Sequence, residues 1–201
     1  MRNFVILGTR ARASGDFQLN DIPGTSGRLD VLLRGLRAGL LVSHGIRKDT
    51  RVYLVLGGEP ENSVVVRVDG AAAKYLRPDD RSLGTLAKKA LTSPAAVGCG
   101  FQAVKPGVAS TRGGLDSVLA DVASSVLYVL EQSGQDCREQ AFEGDATFFV
   151  GDHLGFDPAI RAQLAALGAR ALSVGPCSLH TEDAVAVLHN ELDRRGDQRG
   201  T

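Results

Sequence analysis

Three short stretches in the last third of the chain bring together groups able to hold a ligand. Gly151-Asp152-His153-Leu154-Gly155 follows the apolar run Thr147-Phe148-Phe149-Val150 and offers a carboxylate, an imidazole and backbone donors between two glycines. Asp152 is suited to accept from a ribose hydroxyl, as acidic residues do in other nucleotide sites. The Gly-x-Gly-x-x-Gly order of a dinucleotide fingerprint is absent. A plain strand-to-helix turn, with Asp152 as a cap and His153 exposed, is the competing reading, and spacing alone does not choose. Ser173-Val174-Gly175-Pro176-Cys177-Ser178-Leu179-His180, with Leu130 from the run Val126-Leu127-Tyr128-Val129-Leu130-Glu131, supplies apolar surface and backbone groups of the kind an adenine ring needs. A turn in which Ser178 caps a helix is compatible with the same residues. Cys177 near His180 has the residue types of a nucleophile and base. No third orienting group accompanies them, so packing ranks above catalysis.

The remaining histidines argue against a metal centre. His180 and His189 lie nine positions apart and His153 is far upstream, which is not ligand spacing on one helix. His44 precedes Gly45, where a cation near a helix end is favourable. Six basic residues (Arg28, Arg34, Arg37, Arg47, Lys48, Arg51) fall between positions 28 and 51 against Asp30 and Asp49. Phosphate contacts need such a local patch rather than a basic protein. Taken alone, the segment reads first as a solvated helix face with scattered arginines.

These groups need a sheet to position them. Apolar runs rich in Val, Phe and Leu suit parallel strands buried on both faces. Loops leaving the carboxyl ends of such strands are where open α/β sheets bind ligands. A first strand is expected over Arg2 to Gly8, followed by a polar loop through Pro23-Gly24-Thr25-Ser26-Gly27. Thr25 or Ser26 can cap a helix from about Arg28 to Ser43, with Leu29, Leu32, Leu33, Leu36 and Leu40 at helical spacing. Gly35 and Gly39 weaken that helix and mark close packing. Strands over Arg51-Leu56 and Ser63-Asp69 flank a turn at Gly57 to Asn62, and a helix runs from Pro78 to Leu91. Residues 92–113 read as a long flexible or partner-facing loop. Helices follow near Leu115 to Ser125, from Pro158 (Asp157 as N-cap, Gly168 as stop), and from Thr181 to Arg194. The last buries Ala184, Val185, Val187, Leu188 and Leu192, and the tail from Arg195 to Thr201 frays.

Length and composition bound the class. The chain has 201 residues, 43% of them hydrophobic, with 23 basic and 23 acidic side chains for zero formal net charge. This fits one soluble α/β domain over 1–201. No apolar run approaches a membrane span, and no cleavage signal follows the first strand. Three cysteines without ligand spacing point to a reducing, cytoplasmic setting.

The chain resembles the archaeal tRNA pseudouridine N1-methyltransferases (TrmY), of the SPOUT class of knotted, S-adenosylmethionine-dependent RNA methyltransferases. The resemblance rests on Asp21-Ile22-Pro23-Gly24 with Gly27-Arg28-Leu29-Asp30, Ser43-His44-x-Ile46-Arg47-x-Asp49 and Leu76-x-Pro78-Asp79-Asp80-Arg81. It continues through Pro106-Gly107-Val108, Gly151-Asp152-His153, Gly175-Pro176 with Leu179-His180, and His189-Asn190-x-Leu192-Asp193. It implies a mainly parallel α/β sheet with a C-terminal trefoil knot over about 120–195, a homodimer, and tRNA as partner. It implies that S-adenosylmethionine lies against Leu130, Gly151, Asp152, Val174, Gly175, Pro176, Cys177, Ser178, Leu179 and Ala184. Asp30, Arg28 and Asp183 become the catalytic candidates, with Asp21 a further possible base. Arg28, Arg34, Arg47, Lys48 and Arg81 become the RNA contacts, and Arg28 could serve the partner subunit's pocket. The chain departs from the family pattern at Asp183-Ala184, where some relatives carry His-Cys, and at Cys177, where a leucine is common. N1-methylation of pseudouridine in the tRNA T-loop is the activity implied. Another RNA base, or a non-catalytic RNA- and cofactor-binding homologue, remains the alternative.

Overall fold

In the computed structural model, which describes residues 1–57 and 62–197, one eight-stranded sheet carries helices on both faces. The strands are β1 (Arg2–Leu7), β4 (Thr50–Leu56), β5 (Val64–Asp69), β6 (Gln102–Lys105), β7 (Val108–Arg112), β8 (Val126–Asp136), β9 (Ala146–Gly151) and β10 (Arg170–Ser173). A separate two-stranded ribbon joins β2 (Leu41–Val42) to β3 (Gly45–Ile46). The order across the main sheet is β10-β8-β9-β1-β4-β5-β7-β6. The first five are mutually parallel, and the last three are added antiparallel. The long apolar runs thus form the parallel half, as their burial on both faces requires.

Alternation along each strand divides the core. Phe4 and Ile6 of β1, Val52 and Leu54 of β4, and Phe148 and Val150 of β9 face one layer. Val5, Leu7, Tyr53, Val55 and Phe149 face the other, the period of two that a pleated strand imposes. Helices α2 (Leu29–Leu40), α3 (Asp80–Leu91) and α6 (Thr181–Asp197) cover the first layer through Leu32, Leu83 and Leu188. Helices α4 (Gly114–Asp121) and α5 (Pro158–Ala166) cover the second through Val118 and Leu164. Gly35 and Gly39 let α2 approach the sheet: a Cβ at either would lie 2.4 Å from Ile6 Cδ1 or 2.7 Å from Val52 Cγ2.

Several boundaries differ from expectation. Helix α2 stops at Leu40, and the segment to Ile46 turns back as the β2–β3 ribbon, with His44 at φ 63 in its turn rather than at a helix end. The stretch over 92–113 is no open loop. It forms a 3-10 turn at Pro94–Val97 and the strands β6 and β7, with Ser110 and Thr111 fully buried. Small polar strand residues between Gly and Pro carry little periodic signal, and tertiary pairing with β5 decides their state. Val187 is 39% exposed instead of facing the core. The expected turn at Gly57 to Asn62 falls largely on residues 58–61, outside the described residues, as do 198–201 of the tail. The part of the tail expected to fray from Arg195 instead continues α6 to Asp197, because Arg195 is bonded to Glu191 at 2.8 Å and to the Cys137 carbonyl at 2.7 Å. No helix among the described residues is long and apolar enough to cross a membrane.

Candidate functional site

A cleft of about 490 Å³ opens where β9 and β10 end and where β8 leaves its ladder with β9 after Val129. That lies within the range that small-molecule and cofactor sites occupy. Its first wall comes from an irregularity in β8. The β10 register passes from Ala171 opposite Val129 to Leu172 opposite Gln135, so residues 130–134 swing out of the ladder. Leu130, Glu131, Gln132 and Ser133 then face the cleft. Gly134 permits this excursion, because a Cβ there would sit 2.4 Å from the Leu172 amide nitrogen. No side chain fits so close to backbone.

The second wall is the turn after β9. Gly151 packs against Gly155, where a Cβ would approach within 2.8 Å of the Gly155 carbonyl carbon. Asp152 is buried and accepts from the Thr9 amide at 2.7 Å, the Thr9 hydroxyl at 3.1 Å and the Leu154 amide at 2.8 Å. Three of the carboxylate's roughly four acceptor sites are thereby occupied within the protein. The aspartate first anchors the turn to the segment after β1.

The third wall runs from β10 into α6. The Ser173 hydroxyl accepts from the Gly175 amide at 3.2 Å and donates to the Gly175 carbonyl at 3.0 Å, closing a turn with Gly175 at φ +144. The Gln132 side-chain amide donates to the Pro176 carbonyl, bridging the first and third walls. The Thr181 hydroxyl donates to the Gly151 carbonyl at 2.8 Å and fixes the start of α6 against the end of β9.

Of the ten expected cofactor residues, Leu130, Gly151, Asp152, Val174, Gly175, Cys177, Ser178, Leu179 and Ala184 all line this one cleft. Pro176 does not line it, but its carbonyl holds Gln132 at the edge. Sequence reasoning did not single out Glu131, Arg161, Phe156 and Thr181, which line it too. Glu131 ends an apolar run, and an acidic residue at the mouth of a buried strand was its available signal. Arg161 Nε lies 2.9 Å from Glu131 Oε1, yet that buried oxygen receives no hydrogen bond. A negative oxygen short of donors suits a ligand carrying hydroxyl groups or positive charge.

The Arg28–Asp30 turn sits at the start of α2. Gly27 and Arg28 both adopt left-handed backbone, at φ 69 and 71. Gly27 is packed so tightly that a Cβ would fall 2.0 Å from the Arg10 carbonyl oxygen. Left-handed conformation is costly for arginine, and bonds to Asp30 offset part of that cost. Arg28 donates to both Asp30 oxygens at 3.0 and 3.1 Å, and Arg34 adds a bond at 2.9 Å. Arg34 also reaches Glu182 at 2.7 Å. Burial opposes the Asp30 charge, but the bonds from Arg28 and Arg34 outweigh it and lower its pKa. A carboxylate held ionised by two guanidiniums is a weak proton acceptor. The geometry therefore favours Asp30 as the support of Arg28 and Arg34 rather than as a base.

The other candidates are dispersed. Asp183 is exposed and lines a shallow groove with Arg37, Val42 and Pro78, away from the cofactor-sized cleft. Its neighbour Ala184 points into that cleft instead, since adjacent helical positions face different directions. Asp21 caps the short helix α1 (Ile22–Thr25) by accepting from Gly24 at 3.0 Å. Arg47 is committed to Asp193 through two bonds of 3.0 and 2.7 Å, and Lys48 donates to the Gly70 carbonyl at 3.1 Å. Arg81 is exposed and donates to Asn20. His189 is a buried core group: its Nε2 lies 2.9 Å from the Gly39 carbonyl and its ring 4.6 Å from that of Phe4.

Comparisons with known proteins bear on this arrangement. Residues 1–196 match the sequence model of a family described as "Putative SAM-dependent RNA methyltransferase". The chain is 44% identical over 201 residues to a tRNA (pseudouridine(54)-N(1))-methyltransferase of Methanosarcina mazei, covering 100% of this chain and 94% of that protein. It is 40% identical over 197 residues to the protein of the same name from Halobacterium salinarum, covering 98% of each. Among solved structures, Archaeoglobus fulgidus Nep1 bound to S-adenosylhomocysteine superposes with a TM-score of 0.64 at 15% identity, covering 96% of this chain and 97% of that one.

Proposed function

The chain belongs to the SAM-dependent RNA methyltransferase family, with the α/β fold of the SPOUT class, and we propose that it methylates N1 of pseudouridine 54 in tRNA. The observation that carries this reading is the convergence of three strands on one cleft, in a chain whose full-length relatives bear that activity in their names.

The cleft fits S-adenosylmethionine by size and by donor set. Leu130, Val174 and Leu179 offer apolar faces for an adenine ring, and the turns at Gly151 and Gly175 offer backbone groups for its edge. Glu131, with its unsatisfied buried oxygen, suits the ribose hydroxyls or a cationic centre. When bound, the cofactor supplies an activated methyl group, so catalysis depends chiefly on positioning.

N1 of pseudouridine must lose a proton as it gains the methyl group. Arg28, held by Asp30, is suited to stabilise the negative charge that develops on the uracil ring, since a fixed guanidinium costs no reorganisation during reaction. Among the basic candidates, Arg28 and Arg81 keep RNA contact as their proposed role. Arg34, Arg47 and Lys48 serve it less well because the protein engages them elsewhere.

The reading extends to a homodimer in the cytoplasm and to a knotted C-terminal region. The exposed Val42 and Val187 are apolar side chains available to a second copy, and Val42 lines the groove that also holds the charged Arg37 and Asp183.

The test uses two tRNA transcripts, one converted by a pseudouridine synthase and one left with uridine at position 54. Nucleoside mass spectrometry after incubation with S-adenosylmethionine should find N1-methylpseudouridine only in the first. Methylation of the uridine transcript, or of neither, would overturn the proposal. Sedimentation equilibrium checks the dimer separately.

A further inference from the structure

Next to the cofactor-sized cleft lies a second groove, of about 560 Å³, that none of the expected RNA contacts lines. Its floor is apolar, from Val64, Ala96 and Val97, and its rim carries Arg10, Arg12 and Arg112. Val97 is 71% exposed, so the floor is open to solvent.

Arg10 and Arg12 differ from the guanidiniums around them. Arg2, Arg28, Arg34, Arg47, Arg51 and Arg67 each form an ion pair with an aspartate or glutamate. The side chains of Arg10 and Arg12 form no ion pair or hydrogen bond among the described residues, and Arg12 acts on Asp16 only through space. Their backbone is nevertheless fixed. The Arg12 amide donates to Ser26 at 2.9 Å, and the Ala11 carbonyl accepts from Gly57 at 2.8 Å. Ala11 is buried between them, so the two arginines project outward from a held segment. Thr9, one residue earlier, is bonded to Asp152 at the cleft wall. Thr9 to Arg12 spans at most about 10 Å of chain.

We propose that Arg10 and Arg12 grip the phosphate backbone of the RNA segment beside the target nucleotide, with the apolar floor receiving a ribose or base face. This rests on the reading of the protein as an RNA methyltransferase. Guanidiniums on a held segment, without a partner among the described residues, are the form of charge that phosphate neutralises with release of counterions. The groove's apolar floor flanked by cations matches the platform that single-stranded nucleic acid requires. Cations already paired inside the protein gain much less from phosphate.

The experiment measures binding of a tRNA T-arm stem-loop by fluorescence anisotropy across a salt series, for wild type, Arg10→Ala/Arg12→Ala and Arg10→Lys/Arg12→Lys. S-adenosylmethionine binding is followed by calorimetry as the check on folding. Each lost phosphate contact lowers the slope of log K against log salt by about 0.7–0.9, so the double alanine variant should lose roughly 1.5. The lysine variant should restore most of the slope, and cofactor affinity should stay unchanged in both. An unaltered slope in the alanine variant would overturn the inference. So would a wild type that does not bind the stem-loop. Methylation of the transcripts by wild type reports separately on the functional reading. A salt effect at these arginines with no methylation would overturn that reading alone.

Discussion

Thr9 and Asp152, 143 positions apart in the chain, are joined by two hydrogen bonds, of 2.7 Å from the Thr9 amide and 3.1 Å from its hydroxyl. This link couples the segment after β1, which carries Arg10 and Arg12, to the turn that forms one wall of the cofactor-sized cleft. Asp152→Ala removes the acceptor for two backbone amides and a hydroxyl. Leaving such donors unsatisfied costs about 1–3 kcal/mol each when no water replaces the partner. A fall in melting temperature and weaker S-adenosylmethionine binding by calorimetry are expected together, with Asp152→Asn intermediate.

Asp30 holds Arg28 and Arg34 at once. Asp30→Asn should cost roughly 2 kcal/mol of stability by denaturant titration, because bonds to charged groups exceed neutral ones. Arg28→Ala should lower the melting temperature less than Asp30→Asn does, because Arg34 still holds Asp30, and reduce kcat on tRNA at least tenfold, since stabilising a developing anion acts in the transition state. Wild-type kcat in Arg28→Ala would remove that residue from the mechanism.

Acid stability should reflect His189. Burial, then the charges of Arg47 and Arg2, hold its pKa down to about 4. The folded state therefore resists a proton that the unfolded chain takes up near 6.5, and stability falls as pH drops from about 6.5 to 4. Asp193 adds a second, lower window: burial opposes its charge, but Arg47 and Arg2 outweigh this and hold it at about 2. Its contribution is present above the ordinary carboxylate range and is lost as pH falls toward 2. In urea titrations at successive pH values, His189→Gln should flatten the upper window and leave the lower one. Identical pH profiles for the variant and wild type would refute the assignment.

Gly134 should tolerate no side chain. A Cβ 2.4 Å from the Leu172 amide forces the β8 excursion and β10 apart, so Gly134→Ala should destabilise by at least about 1–3 kcal/mol. Gly144→Ala serves as the control in a melting experiment: it also changes a glycine, at φ 67, but no atom lies within 4 Å of its Cβ position. A smaller loss at Gly134 than at Gly144 would show that crowding at the β8–β10 crossing is not limiting.

Strand identity was legible wherever apolar residues ran unbroken. Val5, Tyr53 and Phe149 alternate with Phe4, Leu54 and Phe148 between two covered faces, and burial on both sides leaves such runs no other stable state. The strand-end turns were legible for the same reason, since Gly151 and Gly175 interrupt or end those runs. The β6–β7 pair was not legible, because Ser110 and Thr111 are buried by their neighbours rather than by their own hydrophobicity. Nor could spacing reveal which arginines were already spent: Arg47 meets Asp193 across 146 positions and Arg34 meets Glu182 across 148.

By itself, then, the order of residues determined the layered α/β sheet and its strand-end turns, because hydrophobic period and glycine placement are local properties, while the family resemblance pointed to about half of the residues that line the cleft. Only the tertiary structure decided the roles of the charges. It bonds Asp30 to both Arg28 and Arg34, places Asp183 in a groove apart from the cofactor-sized cleft, and leaves the side chains of Arg10 and Arg12 without a partner among the described residues. The physical reason is that a charge takes its function from what lies within a few ångströms in space, and the chain brings those neighbours from far along its length.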